Sequence, residues 1–462
     1  MQNFTVTNRQ EPTKENPAIR VHGFDEIYRY YSLAQAAPQA ERCIQCGDPF
    51  CTAIGCPLGN YIPQWLEAIA VRDLEKAFLL ANETSPFPEF LGRICPHNHL
   101  CEGACTLGDG YGAITIGSIE ASITDLGFAA GLTIPFPGVT RQQKVAVIGS
   151  GPAGMSCAHF LLRAGIGVDM YERAAEAGGL LAIGIPNFKL DKALVRRRFD
   201  ILQGAGLNLH LNCEVGRDVV FGDLLNQYDA LFLGLGSTGG RMPHLEHECH
   251  GNVFLAMEFL GAVQQRESGG ILERRFDVRG KRVVVLGGGD TAMDCLRTSI
   301  REGAETVTCV YRRDEANMPG SEKEYHNAVE EGVEFFFHRA PKQIIVDGDG
   351  RLTGVEVLET CLAEPDADGR RAIREVPCSE HCVLADVLIL ALGFDVEDYP
   401  FLPAAGIEVR HRRPVIDQAS GRTSHPKVFA GGDCHRGAHL AVTAAADGRR
   451  AALAIMAQLL KE

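Results

Sequence analysis

The sequence lacks any run of about 18 apolar residues, the length a membrane-spanning helix needs, so no membrane partner is expected. Its first residues, MQNFTVTNRQEPTKENP, are polar and hold no apolar stretch of the kind that directs secretion. Positive charge is scarce: 45 Lys and Arg against 59 Asp and Glu give a net charge of −14. That excludes electrostatic attraction to nucleic acid and suits selective docking to another protein. No Cys-x-x-Cys occurs after residue 46, and Cys157, Cys295 and Cys434 stand singly, so a redox-active cysteine pair is not expected. Cys378-x3-Cys382, with His381, reads as free surface thiols. No nucleophile–base constellation stands out, which leaves a chemistry carried by cofactors.

What is present is cysteine, glycine and repetition. Sixteen cysteines without a secretory signal point to metal or redox use in a reducing compartment, here the cytoplasm, rather than to disulfides. Fifty-one glycines imply many tight turns and close backbone approaches. The 462 residues allow about three domains. Seven cysteines crowd between Cys43 and Cys105, and the Pro/Gly-rich IPFPGVTRQQ near residue 140 reads as a linker. Beyond it, a short apolar strand, a glycine turn and a helix occur twice, at 144–165 and 281–304. Two apolar strands ending in glycine, 228–237 and 385–394, mark where the chain crosses between the two units.

The first cysteine group is Cys43-x2-Cys46-x4-Cys51-x4-Cys56-Pro57, and the second is Cys95-Pro96-x4-Cys101-x3-Cys105. Dense cysteines with trailing prolines point to 4Fe-4S clusters, since thiolates are soft, strongly donating ligands for iron. Buried free thiols and a tetrahedral zinc site are the alternatives. Two clusters ligated only by cysteine need eight thiolates, and this region supplies seven. His97, His99, Asp109 and Glu120 are candidates for an eighth ligand.

Gly149-x-Gly151-x-x-Gly154 follows the strand VAVI and opens a helix. In such a turn the first glycine bends the chain, the second admits a pyrophosphate, and the third lets helix and strand pack. Glu172, at the end of the strand GVDMYE, can accept hydrogen bonds from a ribose. Gly431-Gly432-Asp433, far down the chain, suits the long FAD molecule better than NAD. A helix starting near Ala438 would aim its positive end at the flavin. The second turn is Gly287-x-Gly289-Asp290-Thr291-Ala292. Arg312 and Arg313 end the following strand, where the first site has its acid, and their guanidinium groups suit the 2′-phosphate of NADPH. The expected fold is α/β: a helical iron–sulfur domain (1–141), then two Rossmann-like domains. FAD takes 142–245 with 395–462, and NADPH takes the inserted 246–394.

The order of CIQCGDPFC, GRICPHNHLCEGAC, TIGSIE, VIGSGPAG, GGLLAIGIPNFKL, VVVLGGGDTAMDC, YRRDEANMPGS and AGGDCHRGAHLAVTAAADGR resembles the small (β) subunit family of NADPH-dependent glutamate synthase. The likeness runs from about residue 24 to 455. The same module occurs in the N-terminal half of dihydropyrimidine dehydrogenase and in stand-alone or bifurcating NADPH:ferredoxin-type reductases. The resemblance implies one cluster on Cys43, Cys46, Cys51 and Cys105, and another on Cys56, Cys95, Cys101 and Glu120. It also implies Gly179 and Leu180 as cofactor-binding residues. It implies a large-subunit partner, or another electron-accepting protein. That partner would hold FMN and a further cluster, and would make glutamate from glutamine and 2-oxoglutarate. Two details depart from the pattern: four residues rather than three separate Cys51 and Cys56, and Thr443 stands where tryptophan is common.

Overall fold

The computed structural model describes residues 1–365 and 371–460. The N-terminal region is a helical domain built from Leu33–Glu41, Ile62–Ala70, Leu74–Thr84, Pro88–Ile94 and Ile116–Ala129. Local signals set these ends. Asp73 accepts the Lys76 N–H at 3.1 Å and caps one helix, and Pro88 opens the next. The core is apolar, with Trp65, Phe78, Ile119 and Ile123 buried. Ile116–Ala129 lies against Pro88–Ile94 because Gly92 carries no side chain: a Cβ there would sit 2.7 Å from the Gly117 carbonyl oxygen.

Two five-stranded parallel sheets follow. The first runs in the order Val428–Ala430, Ala230–Leu233, Lys144–Ile148, Gly167–Tyr171, Leu207–His210. The second runs Glu334–Phe336, Thr306–Val310, Arg282–Leu286, Val387–Leu390, Val253–Leu255. Their central strands, VAVI, ALFL, VVVL and VLIL, are buried throughout, as strands covered on both faces must be. The chain passes between the sheets on two short antiparallel strands, Gly239–Gly240 and Phe394–Asp395.

Two features were not visible in sequence. An antiparallel sheet of Arg339–Val346, Leu352–Pro365, Arg371–Glu375 and His381–Leu384 stands beside the second parallel sheet. It carries Cys378 and Cys382, both exposed and free. The second feature is at the N-terminus, where residues 13–29 reach across to the second lobe rather than staying with the helical domain. There Glu331 receives Arg20 Nε at 2.8 Å, Arg297 Nη2 at 2.8 Å and Arg301 Nη1 at 2.6 Å. Burial alone would raise the Glu331 carboxyl, and Arg297 and Arg301 overcome it, holding the group at about 2.

The helical domain is fixed to the first lobe by a second buried ion pair. Arg198 Nε donates to Glu89 Oε1 at 2.8 Å, and both side chains are fully buried. Arg449 reinforces the contact by donating to the Leu58 and Thr84 carbonyls. Removing one member of such a pair leaves an uncompensated charge in low dielectric, at a cost of about 3–5 kcal/mol. Arg198→Met is therefore expected to lower the urea midpoint by that equivalent while Arg217→Met, on the surface, leaves it within about 0.5 kcal/mol.

Candidate functional site

Each glycine of the first turn answers to a different constraint. Gly149 has φ +96°, and a Cβ there would lie 2.3 Å from the Gly234 carbonyl oxygen. Gly154 allows its helix to approach the strand; its Cβ would meet the Gly149 oxygen at 1.9 Å. At Gly151 a Cβ would touch nothing within 4 Å, because that position faces open space at the start of the helix Pro152–Arg163. Glu172 accepts from Ser150 N (3.0 Å), Ser150 Oγ (2.5 Å) and Ala174 N (2.8 Å), so its carboxylate is locked beside the turn. Gly179, at φ +54°, packs its backbone on Gly151.

The distant glycine pair closes the same site. Gly432 has φ +72° and donates to Asp447 at 2.9 Å, and Asp447 is clamped by Arg436 and Arg450. Burial raises Asp433 to about 7. The helix expected near Ala438 begins at Ala441, because His439 first turns back, its N–H donating to Asp433 at 3.3 Å. Thr443, in place of the common tryptophan, hydrogen-bonds His439.

The second turn repeats this geometry. Gly287 has φ +135°, and a Cβ there would lie 2.2 Å from the Ala391 oxygen. Gly289 faces open space and Ala292 is buried at the third position. One expectation is corrected by register. Ile148 pairs with Tyr171 and Leu286 pairs with Val310, so the residue equivalent to Glu172 is Tyr311. Arg312 and Arg313 come one and two residues later, beyond the paired strand. The Tyr311 hydroxyl donates to the Asn317 carbonyl, and its ring lies under Gly288. Arg312 is exposed; Arg313 is half-buried with its Nε unpartnered.

One cavity of about 310 Å³ joins these elements. Gly149, Gly151, Glu172, Gly179, Leu180 and Asp433 line it from the first lobe, and Asp290 and Thr291 from the second. Gly154, Gly432, Gly287, Gly289, Ala292, Arg312 and Arg313 lie outside its wall; the glycines and alanine shape the turns, and the arginines stand at the strand end. Lys189 also lines the cavity and bridges the lobes through Asp294 at 2.8 Å. Ile94 lines it too, and the next residue is Cys95.

The seven cysteines fall into two spatial groups. Cys43, Cys46, Cys51 and Cys105 surround one small cavity. Burial pushes Cys51 up to about 12, and the Cys105, Cys43 and Cys46 thiols add to the effect. Cys95, buried away from water, is held well above its usual value, with Glu120 and Cys56 contributing; Cys101 behaves alike, with Glu102 also acting on it. Cys56 and Cys95 pack against the first lobe, so this second group is the one nearer the cavity. Of the four possible eighth ligands, only Glu120 is brought to these thiols. His97 is packed against Gly117, and His99 and Asp109 are exposed. Glu120 is buried and receives one hydrogen bond, from Asn60 at 3.1 Å; burial lifts it to about 8. Glu120 makes no ion pair among the described residues, and thiols gathered with such a carboxyl form a donor set that a positively charged centre satisfies. Among the described residues no three such side chains close on a single point, as one zinc ion would need. Cys43, Cys46, Cys51 and Cys105 ring a small cavity instead, which fits the separated irons of a cluster.

Residues 20–132 match the family described as dihydropyrimidine dehydrogenase domain II, 4Fe-4S cluster, and residues 143–448 match the pyridine nucleotide-disulphide oxidoreductase family. The glutamate synthase [NADPH] small chain of Escherichia coli (strain K12) is 47% identical over 98% of both chains. The chain belongs to the glutamate synthase small-chain family. Within this family's reach lies the putative oxidoreductase AegA of the same organism, 46% identical over 97% of this chain and 69% of that one. FprA of Mycobacterium tuberculosis, solved in complex with NADPH, shares the fold: TM-score 0.57, 20% identity, 69% of this chain and 85% of that one.

Two site residues of this small-chain relative, Ser150 and Lys189, have no signature in the sequence. Ser150 is the unspecified position of Gly-x-Gly, yet it ties Glu172 to the Gly178 N–H. Lys189 sits within GGLLAIGIPNFKL, but nothing local says that it crosses to Asp294. In Glu120→Ala, iron is expected to fall from about eight to about four per flavin, with one cluster EPR signal lost and the other kept; unchanged spectra would remove Glu120 from the ligand set.

Proposed function

We propose that this chain oxidises NADPH and passes the electrons, one at a time, to a glutamate synthase large subunit in the cytoplasm. The observation that carries this reading is the single cavity lined by the first glycine turn and by Asp290 and Thr291, which follow the second, and touching Ile94 beside Cys95. Bound FAD would accept hydride from NADPH, and two 4Fe-4S clusters would carry single electrons onward.

The chain's own residues do the holding and the shielding. The Gly149–Gly154 turn offers backbone N–H groups and the positive end of Pro152–Arg163 to the FAD pyrophosphate. Glu172 receives the ribose, and Asp433 closes the far end. Asp290 and Thr291 begin the helix Asp290–Arg301, whose N-terminus faces the NADPH phosphates. Arg312 and Arg313, on the strand's C-terminal side, hold the 2′-phosphate. Leu180, Leu181 and Ile185 give the cavity apolar walls that exclude water. Cys56, Cys95, Cys101 and Glu120 would ligate the nearer cluster, and Cys43, Cys46, Cys51 and Cys105 the farther one. The domain division at 142, 246 and 395 follows the same assignment.

In the double variant Arg312→Ala with Arg313→Ala, KM for NADPH is expected to rise about 10- to 100-fold, the worth of one or two charge-assisted hydrogen bonds. KM for NADH stays within about twofold. Equal effects on both would sink the 2′-phosphate assignment. A second reading, a stand-alone NAD(P)H:ferredoxin-type or pyrimidine-reducing flavoprotein, is favoured by the near-equal likeness to AegA. Affinity purification under anaerobic conditions separates the two: a stoichiometric large chain with glutaminase activity supports the first reading, and a chain active alone with a ferredoxin supports the second.

A further inference from the structure

Arg42 is fully buried and immediately precedes Cys43. Its Nε donates to the Thr7 carbonyl at 3.0 Å and its Nη1 to Ala113 at 3.0 Å. Its Nη2 donates to Tyr111 at 2.6 Å and Gly112 at 2.8 Å. All four acceptors are neutral backbone oxygens. The other deeply buried arginines, Arg20, Arg93, Arg198, Arg297 and Arg301, each face a carboxylate. Arg42 makes no ion pair among the described residues; Arg9 is a second cation nearby, and the groups that favour its charge are the Cys105 thiol and the Tyr31 hydroxyl. Its carbonyl partners, 111–113, lead directly into Ile114, which lines the cavity of the outer cysteine group.

The inner group has the opposite surroundings. Glu120 acts on Cys56, Cys95 and Cys101, and Glu102 acts on Cys101. Glu102 is itself paired with Arg9 at 2.7 Å, so Arg9 is a compensated cation where Arg42 is not.

We propose that Arg42 is a fixed positive charge that raises the reduction potential of the outer cluster above that of the inner one, so that electrons run outward from the flavin. The inference rests on the two-cluster reading above. A thiolate-bound cluster is anionic and becomes more so on reduction, so an adjacent buried cation favours its reduced form. A carboxylate ligand and neighbouring acids disfavour reduction of the inner one. Arginine stays protonated at every working pH, so the bias is permanent, and no bond forms or breaks at Arg42.

The test is an anaerobic EPR-monitored redox titration of the full chain. Two distinct reduced-cluster signals are expected in the unaltered protein. In Arg42→Gln the outer midpoint falls toward the inner one, which itself stays put; in Arg42→Lys, which keeps the charge, both stay at their original values. Thr106→Asp supplies a variant that leaves every Arg42 bond intact. The Thr106 hydroxyl lies 3.8 Å from Cys46 Sγ on the exposed side, and an acid there also lowers the outer midpoint. An unmoved outer midpoint in Arg42→Gln or Thr106→Asp, or a fall in Arg42→Lys as large as in Arg42→Gln, overturns the role of Arg42 alone. A single cluster signal in the unaltered chain overturns the two-cluster reading, and this inference with it.

Discussion

The gathering of seven thiols and one carboxyl in the helical domain sets the terms for the rest of this structure. Seven thiols and the Glu120 carboxyl are drawn into the helical domain, and burial disfavours the charged forms of Cys43, Cys51, Cys56, Cys95, Cys101 and Glu120. Iron reverses that balance. The outer donors Cys43 and Cys51 sit within the apolar core of the helices, and two of the inner donors pack against the neighbouring lobe. Placing Cys95 next to Ile94, on the wall of the nucleotide cavity, follows from the same arrangement.

The nucleotide lobes answer to a different constraint, which is how closely backbones can approach. Gly149 and Gly287 each place a would-be Cβ within about 2.3 Å of a carbonyl at the end of a neighbouring strand. Each lobe thus has a turn that only glycine fills, and each turn delivers a helix N-terminus to the space between the sheets. Lys189 fills the join between the lobes, with Asp294 raised to about 6 by burial even against the neighbouring ammonium.

Legibility in the sequence tracked the range of the interaction. Glycine turns, flanking strands and cysteine spacing are local, so both nucleotide units and the cluster region could be read directly. The grouping of Cys105 with Cys43, Cys46 and Cys51 depends on a return of the chain some fifty residues later; spacing left it open, and only family likeness supplied it. Register was also out of reach: Leu286 pairs with Val310, which puts Tyr311 in the position of Glu172 and leaves the arginines beyond it. The antiparallel sheet and the crossing of residues 13–29 are tertiary, and no local pattern announced them. Arg42 was passed over because a lone arginine before a cysteine has no signature; its meaning lies in which acceptors surround it.

The clasp of residues 13–29 on the second lobe also limits how the molecule can move. The paired strands Gly239–Gly240 and Phe394–Asp395 would by themselves make a swivel. With Arg20 sealed against Glu331, the lobe is held at both ends, like an arch on two piers. Arg20 also pairs with Glu330 at 2.8 Å, so unclasping breaks more than one ion pair. A change in the angle between the lobes must therefore break these pairs, and the clasp makes the join stiffer than the two strands alone would.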